Sequence, residues 1–172
     1  AALQGHLLSM GALATCLYSG RGTKADLVKS AEWFRKAAEG GEPFSQNNYG
    51  RCLHEGSGVT QDHALAVVWF LKSDAQGNIC APESLGRCYE TGSGVSPDKS
   101  KAFAYYKSAA ERGFLPGMIQ LGRCYANGIG VAKDTAKAIE CYKAAFRRGD
   151  YSANAALAYY FQHGEGVVRN EV

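Results

Sequence analysis

Glycine recurs along this chain at a fixed step of 36 residues. Gly20, Gly56, Gly92, Gly128 and Gly164 form one column, and Gly22, Gly58, Gly94, Gly130 and Gly166 form a second. A third runs Gly41, Gly77, Gly113, Gly149, with Gly5 as its upstream echo. Asp26, Asp62, Asp98 and Asp134 keep the same step, continued by Asn170, and so do Cys16, Cys52, Cys88 and Cys124. No insertion breaks the register. A fixed period of this size marks a repeat architecture, in which one small supersecondary unit buries its apolar face only by stacking on its neighbours.

Each unit reads as two helices. The first is clearest as Ala81, Leu85, Gly86, Arg87, Cys88 and Tyr89, and again from Leu121 to Tyr125. Positions 81, 85, 88 and 89 fall on one helical face. The glycine pair ends this helix, because glycine takes the left-handed conformations that helix ends and tight turns need. Val59, Val95, Val131 and Val167 follow as an apolar anchor, with Thr23 the exception. The aspartate column then caps the second helix, its carboxylate accepting from free N–H groups at the positive end of the helix dipole. That helix carries Trp33 and Phe34, Trp69 and Phe70, Tyr105 and Tyr106, then Cys141 and Tyr142. Small residues flank these pairs: Ser30, Ala66, Ala102 and Ala138 on one side, Ala37, Ser73, Ala109 and Ala145 on the other. The expected fold is all-α, a right-handed α/α superhelical solenoid of helix-turn-helix repeats at about 7–42, 43–78, 79–114 and 115–150, with a partial unit at 151–172. Neither end carries a dedicated polar cap and no initiator Met is present, so the chain reads as a piece of a longer array, or as one whose ends a partner covers.

Composition narrows the partner. Nineteen basic and 16 acidic residues give a net charge of +3, too mild and too evenly spread to point to nucleic acid. No run of apolar residues is long enough to span a membrane, and the N-terminus shows no signal peptide. A cytoplasmic location is favoured, with the endoplasmic reticulum lumen and the cell exterior left open because the chain reads as a fragment.

The consensus of residues 79–114 (Leu85, Gly86, Tyr89, Gly92, Gly94, Val95, Asp98, Lys101, Ala102, Tyr105, Tyr106, Ala109, Ala110, Gly113) resembles that of the Sel-one-like repeats, relatives of the tetratricopeptide repeat. The resemblance covers nearly the whole chain; the first unit departs most, with Ala14 for the helix glycine. It implies scaffold and adaptor roles: quality control in the endoplasmic reticulum, chitin synthase activation in fungi, bacterial or host-interaction proteins. It also implies that the first helices line the concave face, where a protein or peptide would bind.

On helix geometry that face holds Phe44, Asn47, Arg51, His54 and Glu55; then Cys80, Glu83, Arg87, Glu90 and Thr91; then Pro116, Ile119, Arg123, Ala126 and Asn127. The outer units add Thr15, Tyr18, Tyr159, Gln162 and His163. From these, Arg51, Glu55, Arg87, Glu90, Thr91, Arg123, Asn127 and Tyr159 are the candidate partner contacts. The column Arg51, Arg87, Arg123 is the sharpest feature, since a guanidinium fork suits carboxylates. The competing expectation is local pairing: Glu55 is i+4 from Arg51, and Glu83 and Glu90 are i−4 and i+3 from Arg87. Arg123 has no acid at these spacings and is the expected free contact. Gly56, Gly58, Gly92, Gly94, Gly128 and Gly130, with Asp62, Asp98 and Asp134, are assigned to structure.

The cysteine column reads as small buried side chains, because neighbours one repeat apart lie beyond bridging distance. Cys80 and Cys141 fall outside it. Some bacterial relatives staple each repeat with paired cysteines, a pairing absent here; one bridge, Cys124 to Cys141, remains open. No Cys/His spacing suggests a metal, no cofactor motif is visible, and the isolated His6, His54, His63 and His163 form no nucleophile–base pair. An enzyme is therefore the weakest reading, a self-assembling solenoid joined through its uncapped ends (with Val167 and Val168 near one of them) the second, and a protein-binding scaffold the first.

Overall fold

The computed structural model describes residues 2–163, with side chains from residue 5 onward. The expectations at Gly164, Gly166, Val167, Val168 and Asn170 lie outside the described residues. Nine helices follow one another there: α1 (Ala2–Ser19), α2 (Leu27–Glu39), α3 (Pro43–Glu55), α4 (His63–Ala75), α5 (Ala81–Thr91), α6 (Lys99–Glu111), α7 (Leu115–Asn127), α8 (Thr135–Arg147) and α9 (Ala153–His163). They pair in order, α1 with α2, α3 with α4, α5 with α6 and α7 with α8, and each pair stacks on the next. The fold is an all-α solenoid.

Each column has a physical task. The four aspartates cap the second helices, accepting from the N–H of Lys29, Leu65, Lys101 and Lys137 at 3.0, 2.9, 2.9 and 3.0 Å. Gly56, Gly92 and Gly128 close the first helices at φ of 71°, 77° and 68°. The second glycine of each pair serves the stack. A Cβ on Gly58, Gly94 or Gly130 would run into the backbone carbonyl of Leu27, His63 or Lys99, at the start of the preceding unit's second helix. Gly22, in the first unit, has nothing within 4 Å of that position.

Inside a pair, Gly50, Gly86 and Gly122 lie flat against the rings of Phe70, Tyr106 and Tyr142, each within 2.7 Å of where a Cβ would stand. The two small-residue columns are fully buried throughout, which is what lets helix backbones approach. Two serines among them are satisfied by the backbone of the facing helix: Ser30 donates to Ala14 O at 2.7 Å and Ser73 to Pro43 O at 2.6 Å. The cysteine column is buried at Cys52, Cys88 and Cys124 and half-buried at Cys16. Burial pushes the thiols of Cys52, Cys88, Cys124 and Cys141 up to about 11. All six cysteines are free, so the Cys124–Cys141 bridge does not form.

One cap escaped the sequence reading. Glu42 is buried and accepts from the N–H of Phe44 and Ser45 at the start of α3. Asn78 does the same for Cys80 and Ala81 before α5. Phe114 holds this position before α7 and caps nothing. The residue type changes from unit to unit, so the period conceals the role.

Successive first helices pack directly on one another, α3 on α5 and α5 on α7, while among the described residues no two second helices approach as closely. The first helices therefore line the inner side of the stack. On the outer side, α4 exposes Leu65, Val68 and Leu71 where α2 carries Lys29, Glu32 and Arg35 and α8 carries Lys137, Glu140 and Lys143.

Candidate functional groove

The inner side of α3 and α5 forms a groove of about 420 Å3 that reaches the start of α7. Its walls are Phe44, Asn47, Asn48, Arg51, His54 and Glu55 from α3, Phe70 from α4, Glu83, Ser84 and Arg87 from α5 with Cys80 before it, and Phe114 and Pro116. A second hollow of about 180 Å3 shares Phe44, Asn48 and Arg51 and runs on to Thr15 and Tyr18 of α1. Together they make a channel open to solvent across three first helices. A volume of this order is what a few side chains of a bound segment need.

The channel mixes charge with apolar surface. Phe44 is 46% exposed, a large side chain left facing water. Arg51 pairs with Glu55 at 3.7 Å within α3, and Glu55 also accepts from the Tyr18 hydroxyl at 3.2 Å. Glu83 lies between Arg51 and Arg87; burial raises its carboxyl above the usual range, and the two guanidiniums oppose that rise. His54 lies against His63 with ring centroids 4.8 Å apart and the rings tilted by 60°. Burial holds the His54 imidazole below its ordinary pKa, with His63 and then Arg87 adding to the effect. Arg87 itself is exposed, and its guanidinium forms no salt bridge or hydrogen bond.

The structure redistributes the candidate residues. Arg51, Glu55 and Arg87 meet in the groove. Arg123, expected to be free, is the most firmly held of the arginine column. Its guanidinium forks onto the Glu90 carboxylate of the preceding unit, with Nη1 to Oε1 at 2.8 Å and Nη2 on Oε2, while Nε reaches Gln120 at 2.8 Å. The Tyr106 hydroxyl donates to the same carboxylate at 2.8 Å. The hydrogen bond from Arg123 holds the Glu90 carboxyl below its usual range. Glu90 thus pairs across the stack, one repeat ahead, rather than with Arg87 on its own helix. Spacing along one helix is blind to such a partner.

The remaining candidates lie outside the groove lining. Thr91 turns back onto Arg87 O at 2.9 Å and Ser93. Asn127 is exposed at the end of α7. Tyr159 stacks on His163 of its own helix, centroids 4.3 Å apart. Asn47 and Ala126, placed on the open face by helix geometry, are buried; Asn47 accepts from the Ser84 hydroxyl at 3.2 Å and ties α3 to α5. Phe114 and Asn48 line the groove without having been foreseen, Phe114 because it belongs to the loop before α7 and not to a helix face.

Among the described residues no cluster of three His, Cys, Asp or Glu side chains is placed to hold a metal ion, and no helix is long and apolar enough to cross a membrane.

A family profile described as the Sel1 repeat matches residues 8–42, 43–78, 84–114, 115–150 and 152–172. No curated protein sequence gives a match. Among solved structures, a Sel1 repeat protein from Oxalobacter formigenes superposes with a TM-score of 0.84 at 32% identity, over 94% of this chain and 66% of that one. The c5321 protein, a protective antigen of uropathogenic Escherichia coli with the same repeat fold, gives 0.79 at 31% identity over 99% and 36%. Cysteine-rich protein B of Helicobacter pylori gives 0.60 at 28% identity over 77% and 96%. The chain therefore spans 66% and 36% of the lengths of the first two.

Proposed function

The chain belongs to the Sel1 repeat family, and we propose that it works as a protein-interaction scaffold, seating an extended segment of a partner protein in the channel between α3 and α5. Sel1 repeat proteins are in general scaffolds for protein contacts and typically not enzymes. The observation that carries the location is the channel itself: exposed Phe44 and Pro116 beside Arg51 and Arg87, on the face where first helices stack. Helices about 8–10 Å apart give a three-helix channel room for about five or six residues of extended chain at ~3.3 Å each. Apolar anchors in a pocket with a few charged groups around them are the usual seat of binding energy.

Panning a random peptide library on the chain tests this. Binders are expected, and Phe44→Glu is expected to weaken them about tenfold, whereas Val68→Glu on the opposite side leaves them unchanged. Circular dichroism verifies that both variants stay folded. Binders that survive Phe44→Glu and are lost with Val68→Glu would move the site to the outer face of α4.

A further inference from the structure

We infer that Arg87 is the anchor for an acidic side chain, Asp or Glu, within the bound segment. The inference rests on the groove reading above and names the chemistry of its occupant.

The repeat supplies its own template. Arg51, Arg87 and Arg123 hold equivalent positions on α3, α5 and α7, one repeat apart. The position each would face on the preceding first helix is filled by Tyr18, His54 and Glu90. At the last of these the guanidinium takes a forked carboxylate, and Tyr106 adds a third hydrogen bond to that carboxylate. At the first, Arg51 has a carboxylate on its own helix, Glu55. The residues equivalent to Glu55 are Thr91 and Asn127, so this solution is not available to Arg87. Arg87 faces His54 instead of a carboxylate, and Phe70 stands where Tyr106 would donate. The groove holds two carboxylates: Glu55 pairs with Arg51, and Glu83 feels the Arg87 charge without coming within ion-pair distance of it.

A guanidinium left open beside His54, in a hollow walled by Phe44, Phe70 and Pro116, lacks the partner its twin has. A carboxylate from outside restores that arrangement, and charge-assisted forked pairs are the strong ones. From Arg87 the channel extends past Arg51 to Tyr18 on one side and to Phe114 and Pro116 on the other, so the acid belongs within a passing segment and not at a chain terminus. Apolar residues beside it would meet Phe44 and Pro116.

The test uses the peptides selected above, synthesised with both ends capped, and the intact chain. Wild type is expected to select segments with one Asp or Glu among apolar residues. Replacing that acid by its amide should weaken binding about tenfold. With Arg87→Gln the acidic and amide peptides should bind alike, which closes the double-mutant cycle. The pair His54→Glu with Phe70→Tyr, which rebuilds the Arg123 arrangement around Arg87, should remove the acid preference in the same way. Selection without acids, or an acid effect unchanged in Arg87→Gln, overturns the inference while the groove stands. A preference for peptides ending in a free carboxylate overturns it in favour of a chain terminus. Loss of all Phe44-dependent binders would instead remove the groove reading.

Discussion

The junction between α3 and α5 and the junction between α5 and α7 are built from the same columns and end up differently. Both stack first helices, both bring an arginine to the inner face, and both press a turn glycine onto the preceding unit. Between α5 and α7 the arginine is consumed: Arg123, Glu90 and Tyr106 form a closed network. Between α3 and α5 two substitutions, His54 for the glutamate and Phe70 for the tyrosine, leave Arg87 unpaired and a groove beside it. The period builds the stack, and departures from the period decide which parts of it stay open.

The largest expected effect comes from breaking what the two junctions share. Gly94→Ala forces a side chain to φ of 78° and drives its Cβ into the backbone of His63. Left-handed strain of ~1–2 kcal/mol and overpacking of ~1–3 kcal/mol add to a loss of about 2–5 kcal/mol. Gly130→Ala should match it at the other junction, against Lys99. Gly22→Ala has the same backbone at φ of 75° and open space around the Cβ, so only about 1–2 kcal/mol of strain is expected. Urea denaturation of the three variants measures this. Equal losses at Gly22 and Gly94 would mean that close backbone contact does not hold the units together.

The next effect separates the junctions. Glu90→Gln removes the charge on which Arg123 and Tyr106 converge, for an expected loss of about 1–3 kcal/mol. The lower half of that range applies, since the Arg123 side chain is 36% exposed and water screens the pair. The pH dependence has a definite sign. The Glu90 carboxyl sits below its usual range because of the hydrogen bond from Arg123. Its contribution is therefore complete above the ordinary carboxylate range and is lost as pH falls through the folded value. Denaturation from neutral pH into acid should show wild type losing more stability than Glu90→Gln, the two curves converging at the acid end. Parallel curves would mean that Glu90 adds nothing at this junction.

These contrasts explain what the sequence made legible. The helix pairs, the Asp caps, the left-handed glycines and the buried small columns all follow from local rules repeated in every unit, so each copy reinforced the others. The aromatic column was legible too, and the structure buries its Phe34, Phe70, Tyr106 and Tyr142 members. The groove was half legible: helix geometry picked out Arg51, Glu55 and Arg87, together with Phe44, Cys80, Glu83 and Pro116, as facing one way. It failed where the deciding contact crosses from one unit to the next. Arg123 looked free because its partner is on the first helix of the preceding unit, 33 residues away. Asn47 and Ala126 looked exposed because one helix in isolation does not show what the next one covers. Comparing column 54/90/126 with column 51/87/123 one repeat later would have revealed the Glu90–Arg123 pair.

The smallest expected effect is a titration, and it bears on the open junction directly. Burial is the first cause of the low His54 pKa, followed by His63 and Arg87. Glu55, the one nearby acid acting on it, pulls the other way. Arg87→Gln removes one cation and leaves the burial, so the imidazole should titrate higher than in wild type and still below an ordinary histidine. Arg51→Gln is the comparison: it removes a cation of the same groove that is not among the charges lowering His54, and a smaller change is expected. Ring-proton NMR across the mildly acidic range measures both. Stability follows the same sign: a histidine held low favours the neutral form in the folded state, so its contribution is present above the ordinary histidine range and fades as pH falls. That fading should be shallower in Arg87→Gln. A His54 that titrates alike with and without Arg87 would show that the guanidinium does not face the imidazole. The open junction would then lack the feature that sets it apart from the closed one.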